Sequence, residues 1–542
     1  MKRFAHYIVL GTLSLCTFSC RPMGDELLSY GQNDNQSYAL AGKSYAGEFK
    51  ALWQAMNENY CIWDYEAEYG LDWDQVYATY LPQFEALDDT TQHKRVSDME
   101  FQALYEQILN PLHDGHINLS IKNLQTGKYI KIAPNAARIR AERGSENQLD
   151  NNTPLSLDAY VAGKVAQYPV LTYDHTGSTD ICFELIESTC ARASLGAQAY
   201  MAHIDSLGGP DESNHAFYAA AHDLDSLARE LCGSIASARF LSPSYRLTFK
   251  NRLGQAYNAL CSTYALLGEQ IGVPLLPIDR SLFDDLLGTI QFALFKGNIA
   301  YLRLGRCGLT PYLEPSKQTH DTTTQLYAYQ QAVNRVWHHW FDTIQSLHSA
   351  GTLGGVILDM RCNNGGYVND YKYLLGALLP SGGFESHTLR VKNGTGRLDF
   401  APLIPFTCPT YEGEHAVIES EPIVVLCNSA SISMAENTSW GVTRLHNGAL
   451  IGTRTYGALS ALNTDPSDYS ATYSGAFGEA GVTPVYGYVP KYVCLYPDEN
   501  GNLRPLEGIG ITPTKEVPLD AALWATGNRD NQLEAALDYI SQ

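Results

Sequence analysis

Residues 422–440 hold a serine in a setting that could support nucleophilic chemistry. The apolar run 423–427 predicts a buried strand, and Ser433-Met-Ala-Glu436 then opens a predicted helix. Backbone N–H groups in the first turn of a helix have no intrahelical partner and carry partial positive charge. A serine there has amide donors beside it, as an oxyanion site requires. We therefore expect Ser433 to be a nucleophile, although spacing alone favours the alternative of a helix N-cap.

A histidine at a second predicted junction could supply the base. Gly115 ends a helix in Leu112-His-Asp-Gly-His116, and apolar residues alternate after it as in a strand. His116 therefore lies where functional side chains are often displayed. Two alternatives remain open: His113 and His116 could bind a metal ion, or His116 could be an ordinary turn residue.

Two loops add further candidates. The predicted strand 354–360 runs into Asn-Asn-Gly365-Gly366, whose glycines let backbone amides approach a ligand and also permit a tight turn. Glu507 precedes two glycines and is a candidate loop carboxylate, although such a residue alone is more often a solvated surface charge.

The elements that position these residues predict a mixed α/β protein. Apolar periodicity predicts a helical domain over 44–133 and a partly helical middle region over 134–290. After it, strands and helices alternate, which favours a layered α/β core over 291–542. The expected core strands lie at 298–304, 354–360, 423–427 and 449–453, and the expected core helices at 333–347, 368–379, from 433, and 518–540.

The N-terminus predicts export. Lys2 and Arg3 precede a short apolar run at 8–15, and Thr-Phe-Ser-Cys20 resembles a bacterial lipobox. We expect a signal peptide over 1–20, a lipidated Cys20, a flexible tether over 21–43, and anchoring in the periplasm or outer membrane of a Gram-negative bacterium. An ordinary secretory signal is the alternative. The net charge of −21 argues against nucleic acid or an anionic membrane face as a partner, so the lipid anchor is the expected membrane contact.

Five segments in order resemble motifs of the S41 peptidases, which comprise C-terminal processing and tricorn-core-like serine peptidases. The resemblance covers about residues 44–125 and 295–542. The segments are the helical lead-in through Asp114-Gly-His116, Gly-Val-Ile-Leu-Asp-Met-Arg-Cys-Asn-Asn-Gly-Gly366, Val-Val-Leu-Cys-Asn-Ser-Ala-Ser-Ile-Ser433-Met-Ala-Glu436, Gly-Thr-Arg-Thr-Tyr-Gly457 and Glu507-Gly-Ile-Gly-Ile-Thr-Pro513.

The resemblance implies a fold and a reaction. The implied fold is a ClpP/crotonase-like β-α layered core with an N-terminal helical domain. The implied activity is a serine endopeptidase that acts on polypeptides, with no metal and no organic cofactor. Processing peptidases carry a dyad lysine directly after the Thr-Tyr-Gly segment, where this chain has Ala458. Alanine cannot act as a base, so the sequence resembles the tricorn-like version, with His116 in that role.

The same resemblance implies residue roles. Ser433 attacks the peptide carbonyl, and His116 takes its proton. The N–H of Met434 and one from Gly365 or Gly366 hold the oxyanion. Glu436 or Glu507 holds and polarises the relay. Tricorn-like enzymes place a serine before the histidine, whereas this chain has Gly115, which makes Asp114 a further candidate.

Two other classes of function compete with the enzyme. The first is a catalytically inactive peptide-binding lipoprotein with the S41 fold. Ala458 and Gly115 support it, because each replaces a residue that related enzymes use in catalysis. The second is a glycan- or nutrient-binding surface lipoprotein, for which the lipobox and the 35 tyrosines speak. Retention of the serine, histidine, Glu436 and both glycines favours the enzyme. The sequence leaves open the oligomeric state and a PDZ module within 134–290.

Overall fold

The computed structural model describes most of the chain in nine stretches. These are residues 44–89, 95–134, 165, 168–238, 260, 289–322, 324–460, 476–526 and 529–542. The expected signal peptide, Cys20 and the tether lie outside them, as does much of the middle region over 134–290. Within these stretches, no helix combines the length and apolar character needed to cross a membrane.

The described helices and strands follow in chain order. The helices are α1 (Tyr45–Asn59), α2 (Trp63–Glu68), α3 (Trp73–Asp88), α4 (Asp98–Leu109), α5 (Ser178–Ser206), α6 (His215–Ala238), α7 (Thr310–Leu313), α8 (Gln325–Ser349), α9 (Met434–Thr443), α10 (Ala521–Thr526) and α11 (Asn531–Ile540). The strands are β1 (Asn118–Lys122), β2 (Tyr129–Ile132), β3 (Val170–Gly177), β4 (Thr289–Phe295), β5 (Ile299–Leu304), β6 (Gly355–Asp359), β7 (Glu385–Val391), β8 (Ile404–Thr407), β9 (Ile423–Cys427), β10 (Gly448–Gly452), β11 (Ala476–Phe477), β12 (Val485–Tyr488), β13 (Tyr492–Pro497), β14 (Leu503–Pro505) and β15 (Lys515–Glu516).

The chain forms two compact units that interleave in sequence. The first unit comprises the described residues of 1–142, 385–406 and 457–509, and the second those of 143–384, 407–456 and 510–542. The sequence places 385–406 and 457–509 in one continuous core over 291–542, and that domain division stays a prediction. Within the first unit, β1 pairs with β12, Leu119 lying opposite Gly487.

The first unit contains the N-terminal helices and two antiparallel four-stranded sheets. Their strand orders are β11-β12-β1-β2 and β14-β13-β7-β8. The helices begin at side chains that accept the unpaired N–H groups of their first turns: Ser44 caps α1, Asp72 caps α3, and Ser97 forms a capping box with α4. The expected helical domain is therefore present, and its core includes strands from the C-terminal part of the chain.

The second unit is built on one mixed seven-stranded sheet, ordered β15-β10-β9-β6-β5-β4-β3. β5, β6, β9, β10 and β15 pair in parallel, whereas β3 and β4 pair antiparallel. β6 and β9 are buried along their whole length, as expected for parallel strands covered on both faces. The chain is thus a mixed α/β protein with an N-terminal helical region and a mixed central sheet.

Two expected helices differ from the structure. Residues 368–379 form two 3₁₀ segments, Val368–Tyr373 and Leu375–Leu378, because the buried carboxylate of Asp370 accepts the N–H groups of Leu309 and Thr310 at 2.8 Å each. These tertiary hydrogen bonds prevail over local helix propensity. The closing helix expected over 518–540 is divided into α10 and α11, since Asp530 caps α11.

Candidate active site

Ser433 lies at a sharp turn between β9 and α9. Its backbone has φ 58° and ψ −117°, and the helix begins at the next residue, Met434. A non-glycine residue in so sparsely populated a region costs on the order of 1–3 kcal/mol, and such strain is typical of functional sites. A strained strand-to-helix turn exposes the side chain of a nucleophilic serine in the nucleophile-elbow motif.

Glu436 holds the main chain of this turn. Its Oε2 accepts the Ser433 N–H at 3.0 Å, and its Oε1 accepts the Thr455 hydroxyl at 2.6 Å. The Glu436 side chain is fully buried. The main-chain carbonyl of Ser433 accepts the N–H groups of Glu436 and Asn437 at 2.9 and 3.0 Å, and Ser433 and Glu436 form a capping box at the start of α9. The contacts of Glu436 therefore fix the position of the serine backbone.

The double-glycine loop lies against the serine. A Cβ on Gly365 would come within 2.6 Å of the Ser433 Cβ and 2.9 Å of the Met434 nitrogen, and one on Gly366 within 1.8 Å of the Cys307 oxygen. The Gly365 N–H already donates to Asn363 Oδ1 at 2.8 Å. Within the described part of the chain, the N–H groups of Gly366 and Met434 make no hydrogen bond. Those two donors are available for an oxyanion.

Asn363 is a positioning residue that sequence reasoning did not single out. Its side-chain Nδ2 donates to the Leu304 carbonyl at 2.7 Å, and its main-chain carbonyl accepts the Ile432 N–H at 2.9 Å. It thereby joins the end of β5, the glycine loop and the residue before Ser433. Asn363 lies inside the Asn-Asn-Gly-Gly segment, so the sequence draws attention to this position. Its role depends on contacts with residues far away in the chain, which the sequence does not reveal.

The first unit places His116 beside two buried carboxylates. Asp114 accepts the main-chain N–H of His116 at 2.7 Å. Glu507 Oε1 accepts the main-chain N–H of Leu459 at 2.9 Å, and both the N–H and the hydroxyl of Ser460 at 2.6 and 2.7 Å. The Ser460 side chain also hydrogen-bonds to Asp114, so it links the two carboxylates. Sequence reasoning missed Ser460, and no local pattern marks it.

His116 is half-buried, and within the described part of the chain its buried Nδ1 has no hydrogen-bond partner. Burial lowers the pKa of His116 to about 4, so the ring is neutral at pH 7 and can accept a proton. An unperturbed histidine has a pKa of about 6.5. Burial, together with the nearby Glu66, raises the pKa of Asp114 to about 7. The hydrogen bonds described for Asp114 and Glu507 go to main-chain groups and Ser460 rather than to the imidazole.

His113, the other histidine of the turn, is held by Glu66. Its Nδ1 lies 2.7 Å from Glu66 Oε2, its main-chain N–H donates to Oε1 at 2.7 Å, and Tyr69 stacks on its ring. These contacts give His113 a structural partner.

The residues expected to form the site thus fall into two groups, each described within its own unit. Ser433, Met434, Glu436, Gly365 and Gly366 come together in the second unit. His116, Asp114 and Glu507 come together in the first.

Comparison with known proteins defines the class of the chain. Residues 325–472 match the model of peptidase family S41. The match includes the serine turn and the double-glycine loop, and it does not extend to His116 or Glu507. The match covers 148 of the 542 residues, so it is this segment that is similar to the S41 serine peptidases, which act on polypeptides.

Solved structures provide more distant likenesses. A provisionally assigned peptidase of Parabacteroides merdae is 15% identical, with 92% of this chain and 97% of that chain covered and a TM-score of 0.47. Mature CPAF in complex with lactacystin is 12% identical, with 92% and 97% covered and a TM-score of 0.40. A provisionally assigned S41 protease of Bacteroides fragilis is 19% identical, with 49% and 60% covered and a TM-score of 0.29. TM-scores below 0.5 are too low to establish a shared fold. No curated protein matches the chain.

Proposed function

We propose that the chain is a serine endopeptidase in which Ser433 is the nucleophile and His116 the general base. Ser433 attacks the carbonyl carbon of the scissile peptide bond while His116 takes the hydroxyl proton. His116 then gives that proton to the leaving amine, and water hydrolyses the acyl-enzyme by the same steps. The wider expectation of a ClpP/crotonase-like core is part of this proposal.

The backbone of Ser433 is the observation that carries the proposal. A buried glutamate holds the residue in a strained conformation at the first turn of a helix. Such strain costs free energy, and a serine whose only role was to end a strand would have no need of it. The conformation places a main-chain donor, the Met434 N–H, directly after the nucleophile, as the nucleophile elbow requires.

The oxyanion is assigned to the N–H groups of Met434 and Gly366. Each such donor typically lowers the barrier by about 3 kcal/mol. Gly365 serves the site differently: its missing side chain allows the loop to approach Ser433, while its own N–H binds Asn363.

His116 suits the base role because its ring is uncharged at neutral pH. The carboxylates of Asp114 and Glu507 position the turn that carries the ring. The Ser460 hydroxyl lies between these two carboxylates. It could take the place of the serine that tricorn-like enzymes have before the histidine, where this chain has Gly115. Lysine, the alternative base of related peptidases, is replaced by the buried Ala458.

A fluorophosphonate probe that labels activated serines tests the proposal. Wild type should be labelled, Ser433→Ala should not, and His116→Ala should be labelled at least about 100-fold more slowly, the scale of general-base catalysis. Hydrolysis of a mixed peptide library by the same three proteins should follow the same order.

Matched controls separate chemistry from folding. Ser439→Ala removes another buried hydroxyl, which donates to the Ala435 carbonyl within α9. His113→Ala removes the other histidine of the turn. Both should keep their labelling. Labelling of Ser433→Ala, or undiminished labelling of His116→Ala, would refute the assignment. Peptide binding without hydrolysis would instead support the inactive binding protein.

We further propose that Cys20 is lipidated and tethers an exported protein. The order of charged, apolar and small residues before Cys20 supports it. Cells fed a labelled fatty acid should incorporate it into the wild-type chain and not into Cys20→Ser, and incorporation into both would exclude Cys20 as the acceptor.

A further inference from the structure

Three potential metal ligands converge in the first unit. One ring nitrogen of His116 and one carboxylate oxygen each of Asp114 and Glu507 all lie within 4.8 Å of one another. The two carboxylates are 2% exposed. Among the residues that the structure describes, none hydrogen-bonds to the buried Nδ1 atom of His116, which is costly for a polar atom unless a ligand or water satisfies it.

The surroundings of the carboxylates resemble the outer shell of a metal site. The N–H of His116 holds Asp114, and the N–H groups of Leu459 and Ser460 hold Glu507. The Ser460 hydroxyl connects the two. Outer hydrogen bonds of this kind orient metal ligands and strengthen binding. All of these donors are neutral, so they orient the carboxylates without cancelling their charge.

One of the three potential ligands, Glu507, borders a cavity whose lining does not include Asp114 or His116. Glu507 lines a cavity of about 310 Å³ in the first unit, together with Tyr65, Tyr69, His113 and Leu506. This volume admits a hydrated ion.

We propose that Asp114, His116 and Glu507 form a binding site for a divalent transition-metal cation of the zinc type, and that its occupancy inhibits the peptidase. One imidazole nitrogen with two carboxylate oxygens suits Zn²⁺, whereas Ca²⁺ and Mg²⁺ prefer oxygen ligands alone. Bonds of about 2.1 Å place tetrahedral ligand atoms about 3.4 Å apart, so side-chain rotations need to shorten separations of at most 4.8 Å by up to about 1.4 Å.

The inhibitory part of the inference rests on the proposed function. A cation bound to the imidazole occupies the lone pair that would take the Ser433 proton. Inhibition is then reversible by chelators and needs no covalent change. The metal-binding part does not depend on catalysis and can be measured in Ser433→Ala.

Isothermal titration of Zn²⁺ into untagged Ser433→Ala protein at pH 7.5 tests the site. One ion should bind, and its affinity should fall at least roughly 10–100-fold when His116→Gln or Glu507→Gln is added. Adding His113→Ala should leave the affinity unchanged. Absence of binding, or equal affinity in the His116→Gln and Glu507→Gln proteins, overturns the proposal.

A spectroscopic measurement covers variants that fold poorly and excludes cysteine ligands. Co²⁺ bound to Ser433→Ala protein should show the visible bands of a low-coordinate nitrogen–oxygen site and lack the intense near-ultraviolet absorption of a cobalt–thiolate bond. A thiolate band would assign the ion to a cysteine and refute the site.

Activity measurements separate the two proposals. Zn²⁺ should slow fluorophosphonate labelling of wild type, and a chelator should restore it. Zinc binding in a protein that never labels would refute the proposed function and keep the site. Labelling that continues unchanged at saturating Zn²⁺ would refute the inhibition.

Discussion

Glu436 Oε2 accepts the main-chain N–H of Ser433 at 3.0 Å, while Ser433 itself lies at φ 58°. The carboxylate therefore binds the strained residue directly and not through the serine hydroxyl. Its other oxygen is tied to Thr455, whose hydroxyl oxygen also accepts the Ile511 N–H at 2.7 Å. Thr455 and Ile511 thus stabilise the serine turn through one glutamate.

Glu436→Ala should destabilise the turn and abolish labelling of Ser433. It leaves the Ser433 N–H and the Thr455 hydroxyl without their acceptor, which costs about 1–3 kcal/mol for each buried group. Glu436→Gln keeps one carbonyl acceptor and should lose less. Urea unfolding and fluorophosphonate labelling measure both effects. The exposed Glu419→Ala is the control, and wild-type labelling by Glu436→Ala would show that the turn does not need this carboxylate.

Gly365→Ala should eliminate activity by closing the gap between the loop and the serine. The added Cβ would lie 2.6 Å from the Ser433 Cβ, so the loop or the serine must shift. Even a displacement of about 1 Å can cost about 100-fold in rate. Labelling rates and peptide hydrolysis should both fall by at least this factor.

Gly351→Ala is the matched control for that substitution. Gly351 also has a positive φ, 65° against 80° at Gly365, but a Cβ there meets nothing within 4 Å. Both substitutions cost a similar backbone strain of about 1 kcal/mol, and only Gly365→Ala adds a steric clash with Ser433. Equal activity losses would show that backbone strain alone explains the effect.

The rate of Ser433 labelling should stay nearly constant from pH 7.5 down to about 5.5. Because the pKa of His116 is lowered to about 4, the neutral ring that acts as base persists throughout this range. An ordinary histidine would lose half of its neutral form near pH 6.5. The measurement uses a chelator to remove trace metal. A decline centred near pH 6.5 that persists in Asp114→Asn would contradict the neutral ring, since the pKa of Asp114 is itself raised to about 7.

The sequence predicts the serine turn well because its determinants are local. A buried strand, small polar residues and Ser-x-x-Glu predict a strand-to-helix turn within fifteen residues. The structure has that strand, β9, before Ser433 and that helix, α9, after it. The role of His116 as base stays a prediction.

The surroundings of His116 could not be predicted because their contacts are distant in sequence. Ser460 reaches Glu507 across 47 positions, and the strand beside β1 comes from residues 485–488. The lowered pKa of the histidine depends on burial created by such contacts, and a motif contains no measure of burial.

The stability of the protein should fall as pH rises, because Glu48 is buried as an acid. Its side chain in α1 is fully buried, and neither carboxylate oxygen has a hydrogen-bond partner in the described residues. Burial, with Asp88 nearby, raises its pKa to about 9. An unfolded glutamate has a pKa of about 4.3. The folded state therefore binds the proton more tightly, and stability present below pH 4.3 is lost progressively toward pH 9.

Glu48→Gln should remove this dependence, because an amide stays neutral at every pH. Relative to wild type, its free energy of unfolding should rise between pH 5 and pH 8 by roughly 3–4 kcal/mol, at 1.4 kcal/mol for each pH unit. Taking the difference between the two pH values cancels any fixed cost of the substitution. Urea denaturation at both pH values measures it, and Glu85→Gln, exposed on α3, should show the wild-type dependence. If Glu48→Gln loses stability with pH as steeply as wild type, Glu48 is charged in the folded protein and another group causes the dependence.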